Sequence, residues 1–450
     1  MPDILALLHC LQPCLTMTSV RQLSRITLAL LTMTGRVTML GISRWGDDGT
    51  SYRTIQRFFA TPLPWHLIFW HIFSAHHFQP NHVYILAGDE VVITKAGKKT
   101  FGLDRFFSGI LQRVVPSVAF FSFALVSTTS RRAFPLCLEQ VVRTEAEKAA
   151  AKVKAAKTAT QTSPKPKAGR PKGSKNKPKT DTHSLSCELQ RIQCILQDQL
   201  ALIVGTVPLT YLALDGHFGT APAIQMVRGC GLHLISKLRS NAALFLPYDG
   251  PYQGRGPHRK YGEKLDIKAL PARFLRERHV EDGVETCIYQ VEALQKEVSQ
   301  PLNVVVVVKL NLKTQKRAHV VLFSSDVTLS VEKVIEYYSL RFQIEFTFRD
   351  AKQYWGLEDF MNVTARGVEN AANLSLLMVS LSAVLLREAR ESDAQCSVLD
   401  LKAAYRGTKY VSETIKLLPE KLDEGLIAHI VCQVALLGRI HPPAALLNAA

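Results

Sequence analysis

From position 336 to 352 the chain runs without a glycine or proline, alternating charged and apolar side chains in a period that suits a helix. At about 100° per residue, Tyr338, Arg341, Glu345 and Lys352 fall at roughly 0°, −60°, −20° and −40°, while Leu340, Ile344, Phe348 and Ala351 fall opposite. One unbroken helix is therefore expected, with its apolar face on a core. A phenol, a guanidinium, a carboxylate and an ammonium would then face one point. A carboxylate among cations suits metal and phosphate; the plain alternative is a solvated charge ladder.

Lys and Arg total 55 against 38 Asp and Glu, a net charge of +17, which calls for a polyanionic partner. Nucleic acid fits that better than an acidic membrane, and no run of 18 apolar residues predicts a spanning helix. The start has Asp3 and no basic residue before its apolar stretch, unlike a signal peptide. The 9 cysteines are scattered, without paired zinc spacing, and read as small buried hydrophobes in a reduced, cytosolic setting.

Two aspartates stand out because each follows an apolar, β-branched run. Residues 82–93 read as a buried strand carrying Asp89 and Glu90 near its end, with Glu90 on the opposite face. Residues 207–214 read as a second strand that delivers Asp215 to a turn at Gly216, with His217 beside it. A buried strand carboxylate is costly unless a metal or partner compensates it, so Asp89 and Asp215 are candidate ligands.

The rest of the chain divides around these strands. Residues 1–78 read as a helical region whose last helix is capped by Ser51. It buries Tyr52, Ile55 and Phe59 and turns Arg53, Gln56 and Arg57 outward, either as a DNA-reading helix or as an ordinary amphipathic one. Residues 148–179 hold 11 Lys or Arg and no acid, and read as a disordered basic linker (141–183) within a catalytic region spanning 79–365. Its Gly169-Arg170-Pro171-Lys172 is similar to the AT-hook, which lays Arg into the minor groove; the alternative is a linker that binds phosphates without reading sequence. Residues 240–325 look inserted and rich in strand. The segment 248–261 interleaves Tyr252 and Tyr261 with Arg255, Arg259 and Lys260, a pattern suited to phosphate contact and base stacking. The region 366–450 is expected to be helical, with 374–386 too apolar for exposure and packed on the body or on a second subunit.

The tetrad Tyr338, Arg341, Glu345, Lys352, with Asp89 on an early strand and Asp215-Gly216-His217 on a later one, resembles the YREK signature of one class of bacterial insertion-sequence transposases of the DDE type. The resemblance covers residues 83–363. It implies an α/β, RNase H-like fold with a mixed sheet, a β-rich insertion before the last catalytic helix, and helical flanks. It also implies Asp89, Asp215 and Glu345 as catalytic metal ligands for two Mg²⁺ or Mn²⁺ ions. Tyr338, Arg341 and Lys352 would hold phosphates. All-oxygen ligation suits those ions. The expected activity is cutting and joining of double-stranded DNA at terminal inverted repeats and a target, by a homodimer on DNA in the cytoplasm at the bacterial nucleoid. Relatives that form a hairpin stack a flipped base on an insertion tryptophan. Here Trp45, Trp65, Trp70 and Trp355 all lie outside 240–300, which leaves Tyr252 or Tyr261 for that role.

Three other readings compete. A structure-specific nuclease of the same fold would leave the basic tetrad and the insertion unexplained. An inert DNA-binding derivative would be free to lose an acid, yet all three are present. A membrane-surface protein needs an amphipathic basic helix, whereas Pro and Gly break the most basic stretch.

Overall fold

The structure is a computed structural model that describes residues 3–47, 49–109, 111–149, 184–252, 254, 258–418, 422–437 and 439–441. Arg170, Lys172 and Arg255, and with them the AT-hook-like segment, lie outside the described residues.

Among the described residues twelve strands form one sheet. They are β1 (Tyr84–Thr94), β2 (Asp104–Ser108), β3 (Arg113–Ser127), β4 (Arg132–Val141), β5 (Tyr211–Ala213) and β6 (His233–Leu238), then β7 (Leu244–Pro247), β8 (Tyr261–Lys264), β9 (Leu275–Glu281), β10 (Val284–Gln295), β11 (Leu302–Asn311) and β12 (Arg317–Ser324). The order is β2-β3-β1-β5-β6-β12-β11-β10-β7-β8, with β4 on β3 and β9 on β10. β3 pairs antiparallel with β1 and β4, and β1, β5 and β6 run parallel to one another. That β4-β3-β1-β5-β6 arrangement is RNase H-like. The strands of residues 244–324 add no separate layer; β12 joins β6 edge to edge and the sheet continues.

Strand alternation sends β1 side chains to two different cores. Tyr84 and Leu86 face one with the helices Cys187–Ile203 and Ala221–Gly229. On the other face, Ile85 and Ala87 pack under the helix Val331–Leu340, and Val91 and Ile93 under the helix Gln343–Trp355. Of this last helix Ile344, Phe348 and Ala351 are buried, as the sequence period expects, and so is Trp355. Each large apolar side chain so buried stabilises the packing by about 2 kcal/mol.

The expected single helix through 336–352 is instead two. Val331–Leu340 and Gln343–Trp355 meet at Arg341 and Phe342, both still in right-handed helical conformation. Phe342 N–H donates to Ser339 C=O, Ile344 to Arg341 and Glu345 to Phe342, each a tighter three-residue step. The chain therefore stays helical in sense through a short tightened junction between the two helices. No Gly or Pro marks the site, which is why the sequence pattern does not disclose it.

The N-terminal helices Ile4–Leu8, Met17–Thr32, Met39–Trp45, Tyr52–Ala60 and Trp65–His76 share one hydrophobic core with Gln343–Trp355 and the long helix Ala365–Ser392. Asn370 of the long helix is fully buried. Its amide donates to the Phe59 and Thr61 carbonyls at 3.0 and 2.8 Å, and its oxygen accepts from Trp65 Nε1 at 2.8 Å. It thereby satisfies carbonyls at the end of Tyr52–Ala60 that the helix leaves unpaired. Ser51 caps the start of that helix as expected, but Tyr52 is 46% exposed and Phe58 completes the buried face with Ile55 and Phe59. Positions 55, 58 and 59 make the stripe, and Tyr52, at the first helical position, projects past the end of the core.

Ala365–Ser392 has the length and apolarity to cross a membrane, yet it is mostly buried inside this protein. Residues 374–386 thus pack on the body of their own chain.

Gly356 ends the helix that carries Glu345. Its φ of +78° is left-handed, and a Cβ there would stand 2.2 Å from Val37 Cβ. Gly356→Ala should therefore lower stability by roughly 3 kcal/mol, from strain and overpacking together. Urea denaturation reads this as a lower midpoint at constant slope, and an unchanged midpoint would refute the packing described.

Candidate active site

The helical covering of the sheet is interrupted at Asp89. Ala87 belongs to the core under Val331–Leu340, Val91 to the core under Gln343–Trp355, and Asp89 lies between them, where the two helices meet. On the neighbouring parallel strand, Leu86 and Ala87 pair with Leu212 and Ala213. β5 ends at Ala213, and Asp215 follows two residues on, close enough for its charge to act on Asp89. Asp89 is the sixth residue of an eleven-residue strand, more central than expected.

Glu345 reaches this point from the first turn of its helix, and Arg341 joins it to the strand. Arg341 Nη1 donates to Asp89 Oδ2 at 2.8 Å and Nη2 to Glu345 Oε1 at 3.1 Å. The guanidinium side chain is only 12% exposed, and its Nε is buried with no acceptor. The other Asp89 oxygen accepts from the Glu90 amide at 2.9 Å. Burial pushes the Asp89 carboxyl up to about 6. Arg341 and the Glu90 amide oppose that rise, and the charges of Glu345 and Asp215 add to it. Tyr338 lies beside the cluster with its phenol raised by burial and Arg341 pulling the other way.

Asp215 is fixed by its turn. Its Oδ1 accepts from the His217 amide at 3.1 Å, and its carbonyl accepts from Ser236 Oγ at 2.6 Å. Gly219, rather than Gly216, is the sterically required glycine: a Cβ there would lie 2.2 Å from the Lys237 carbonyl oxygen, against 3.5 Å for the nearest atom at Gly216.

Lys352 stands apart from the other three. Its ammonium lies 3.4 Å from the Val92 carbonyl and 3.1 Å from Glu358, farther along β1. The insertion loop is more distant still. Arg259 lies over Tyr248 and Tyr252 stacks on His258, while Lys260 and Tyr261 sit at the start of β8. β8 is at the far end of the sheet, seven strand positions from β1. Arg53 and Arg57 are exposed on the N-terminal helix.

Two features escape the sequence reading. On the opposite face, Glu188 lies 3.3 Å from His217 Nε2, and this hydrogen bond raises the imidazole pKa. Desolvation first, then the Glu188 charge, raises Glu90. The helical period of 187–203 places Glu188 in the first turn, after the Ser186 cap, but cannot say which loop it meets. Second, Phe342 and Phe346 flank Glu345 as an exposed aromatic pair, ring centroids 5.3 Å apart. A straight helix would assign them only to its flanks.

Among the described residues no three His, Cys, Asp or Glu side chains converge closely enough to chelate an ion directly. The donor chemistry nonetheless suits a hard divalent cation: the charges of Glu345 and Asp215 act on the Asp89 carboxyl, and a guanidinium already supplies positive charge between Asp89 and Glu345.

Acidic residues from β1, from just past the end of β5 and from a late crossing helix thus gather on one face of an RNase H-like sheet. The sequence model of the DDE superfamily endonucleases matches residues 10–286, and the chain belongs to that family. The match includes Asp89 and Asp215 and stops short of Glu345. No curated protein matches the chain. Membership makes it a transposase-like nuclease acting on DNA, in a superfamily that normally uses divalent metals.

Proposed function

We propose that the chain is a transposase of the YREK class, which binds the ends of its insertion sequence and catalyses DNA cleavage and strand transfer. The observation that carries this reading is the single guanidinium bridging Asp89 and Glu345 beside Asp215, on one face of an RNase H-like sheet. Asp89, Asp215 and Glu345 would hold two Mg²⁺ or Mn²⁺ ions. Those ions supply Lewis-acid stabilisation of the attacking and leaving oxygens in phosphodiester displacement. Arg341 grips a phosphate near the scissile bond through its planar fork, Tyr338 flanks it, and Lys352 contacts the backbone farther along β1. Phe342 and Phe346 stand closer to the carboxylates than Tyr252 or Tyr261, and better placed to receive an unstacked base.

In this reading residues 1–78 recognise DNA through Arg53 and Arg57, and 79–365 do the chemistry. The linker 141–183 clamps phosphates through residues such as Arg170 and Lys172. The insertion 240–325 contributes Arg255, Arg259 and Lys260 to DNA contact, and 366–450 supports a dimer on DNA. The protein would work in the bacterial cytoplasm at the nucleoid.

The full chain, incubated with duplexes carrying the DNA that flanks its gene, should nick the ends and join them to a target with Mg²⁺ or Mn²⁺ and not with Ca²⁺. Cleavage indifferent to the flanking sequence, without joining, would replace the transposase by a structure-specific nuclease.

A further inference from the structure

Arg341 stands where two catalytic carboxylates need a cation. It makes one charged hydrogen bond to Asp89 and one to Glu345, is largely shielded from water, and keeps its charge at any accessible pH. A divalent ion bound by the same carboxylates would meet that fixed positive charge at close range. The two cations therefore compete for oxygen lone pairs and for space.

The arrangement is also incomplete from the guanidinium's side. Nε is buried and has no acceptor, an unsatisfied donor of a kind that folded proteins seldom keep. A phosphate could occupy Nε together with a terminal nitrogen, which is the two-point grip that guanidinium geometry favours. The residue stands at the junction between Val331–Leu340 and Gln343–Trp355, where the hydrogen bonds tighten to three-residue steps and Phe342 makes no side-chain cap. A change in direction of this side chain therefore need not disturb the buried Leu340 or Ile344 on either side.

We propose that Arg341 is a resident counter-cation: without DNA it holds Asp89 and Glu345 and keeps divalent metal affinity low, and a DNA phosphate draws it off so that the carboxylates become free for metal. DNA and metal then bind cooperatively, each favouring the arrangement the other needs. This rests on the assignment of Asp89 and Glu345 as metal ligands, and adds that the metal site is conditional on DNA.

The test is Mn²⁺ binding to the full-length protein, followed by the electron paramagnetic resonance signal of free Mn²⁺, with no turnover involved. Without DNA, Arg341→Ala should bind Mn²⁺ at least about ten-fold more tightly than wild type, with Arg341→Lys between them. Addition of a duplex carrying the DNA beside the gene should tighten Mn²⁺ binding to wild type and leave Arg341→Ala nearly unchanged. Thermal melts establish that each variant is folded, and Arg341→Gln serves the same readout if the alanine variant is not. Equal or weaker Mn²⁺ binding by folded Arg341 variants, at a site that Asp89→Asn removes, overturns the counter-cation role and leaves the metal assignment standing. Mn²⁺ binding indifferent to both Asp89→Asn and Glu345→Gln overturns the metal assignment itself.

Discussion

Asp89→Asn, Asp215→Asn and Glu345→Gln are each expected to reduce DNA cleavage by at least about 10³-fold, more than one hydrogen-bond donor supplies in an anion-stabilising site. Each substitution removes the charge of a proposed metal ligand and almost no volume. DNA binding should survive and tighten slightly, since one negative charge facing phosphates is gone. Cleavage of a labelled duplex, with gel-shift titration of the same variants, separates the two effects. Burial already disfavours the charged form of Asp89, so Asp89→Asn should melt no lower than wild type near neutral pH, whereas Glu345→Gln leaves Arg341 one charged partner fewer and should melt somewhat lower. Full cleavage activity in any of the three would remove that residue from the site.

The second large effect concerns subunit number. Mixing wild-type chains with an equal amount of Glu345→Gln should leave about a quarter of the activity if two intact subunits are required in a symmetric complex. The surface available for such pairing differs from the one the sequence suggests. Residues 374–386 are spent inside their own chain, whereas the C-terminal helix Glu424–Ala435 buries none of its residues. Around it Leu417 is 85% exposed and Leu437 69% exposed, an apolar surface of the kind that a second copy covers. A net charge of +17 opposes pairing until DNA neutralises it. Sedimentation should therefore show a monomer without DNA and a dimer on end-sequence duplex. Activity falling only in proportion to the mutant fraction, from a monomer on DNA, would exclude this.

Side-chain period carried much of the architecture. Alternation along β1 separates Asp89 from Glu90, and the apolar run opposite the tetrad predicts the buried positions Leu340, Ile344, Phe348 and Ala351. Both are local properties of a pleated strand and a helix. What periodicity could not supply is tertiary in origin. The turn at Arg341 and Phe342 has no breaking residue, and coincides with a gap over Asp89 that exists only once the strand and helix are packed. Lys352 shares the helical phase of Glu345 but is drawn to Val92 and Glu358, because phase fixes direction around the axis and not what lies along it. Tyr261 satisfies the composition of a stacking loop, yet the strand order carries it to the remote end of the sheet, and strand order is not encoded in any single segment. The contact of Glu188 with His217 likewise depends on how a helix lies across a sheet.

The tie made by Asn370 bears on how such enzymes can be re-engineered. Its buried amide is shared between the end of the helix carrying Arg53 and Arg57 and the Trp65 indole, and the helix it belongs to also packs on the one bearing Glu345. A chimera that replaced residues 1–78 with the recognition module of another protein would strand that amide, and three hydrogen bonds with it, in an apolar interior. Retargeting by module exchange would therefore fail at the level of folding before any question of binding arose. Substitution of outward residues such as Arg53, Gln56 and Arg57 alone leaves the seam intact, so the DNA-reading role proposed for that surface would be altered by repainting it and not by transplanting a domain.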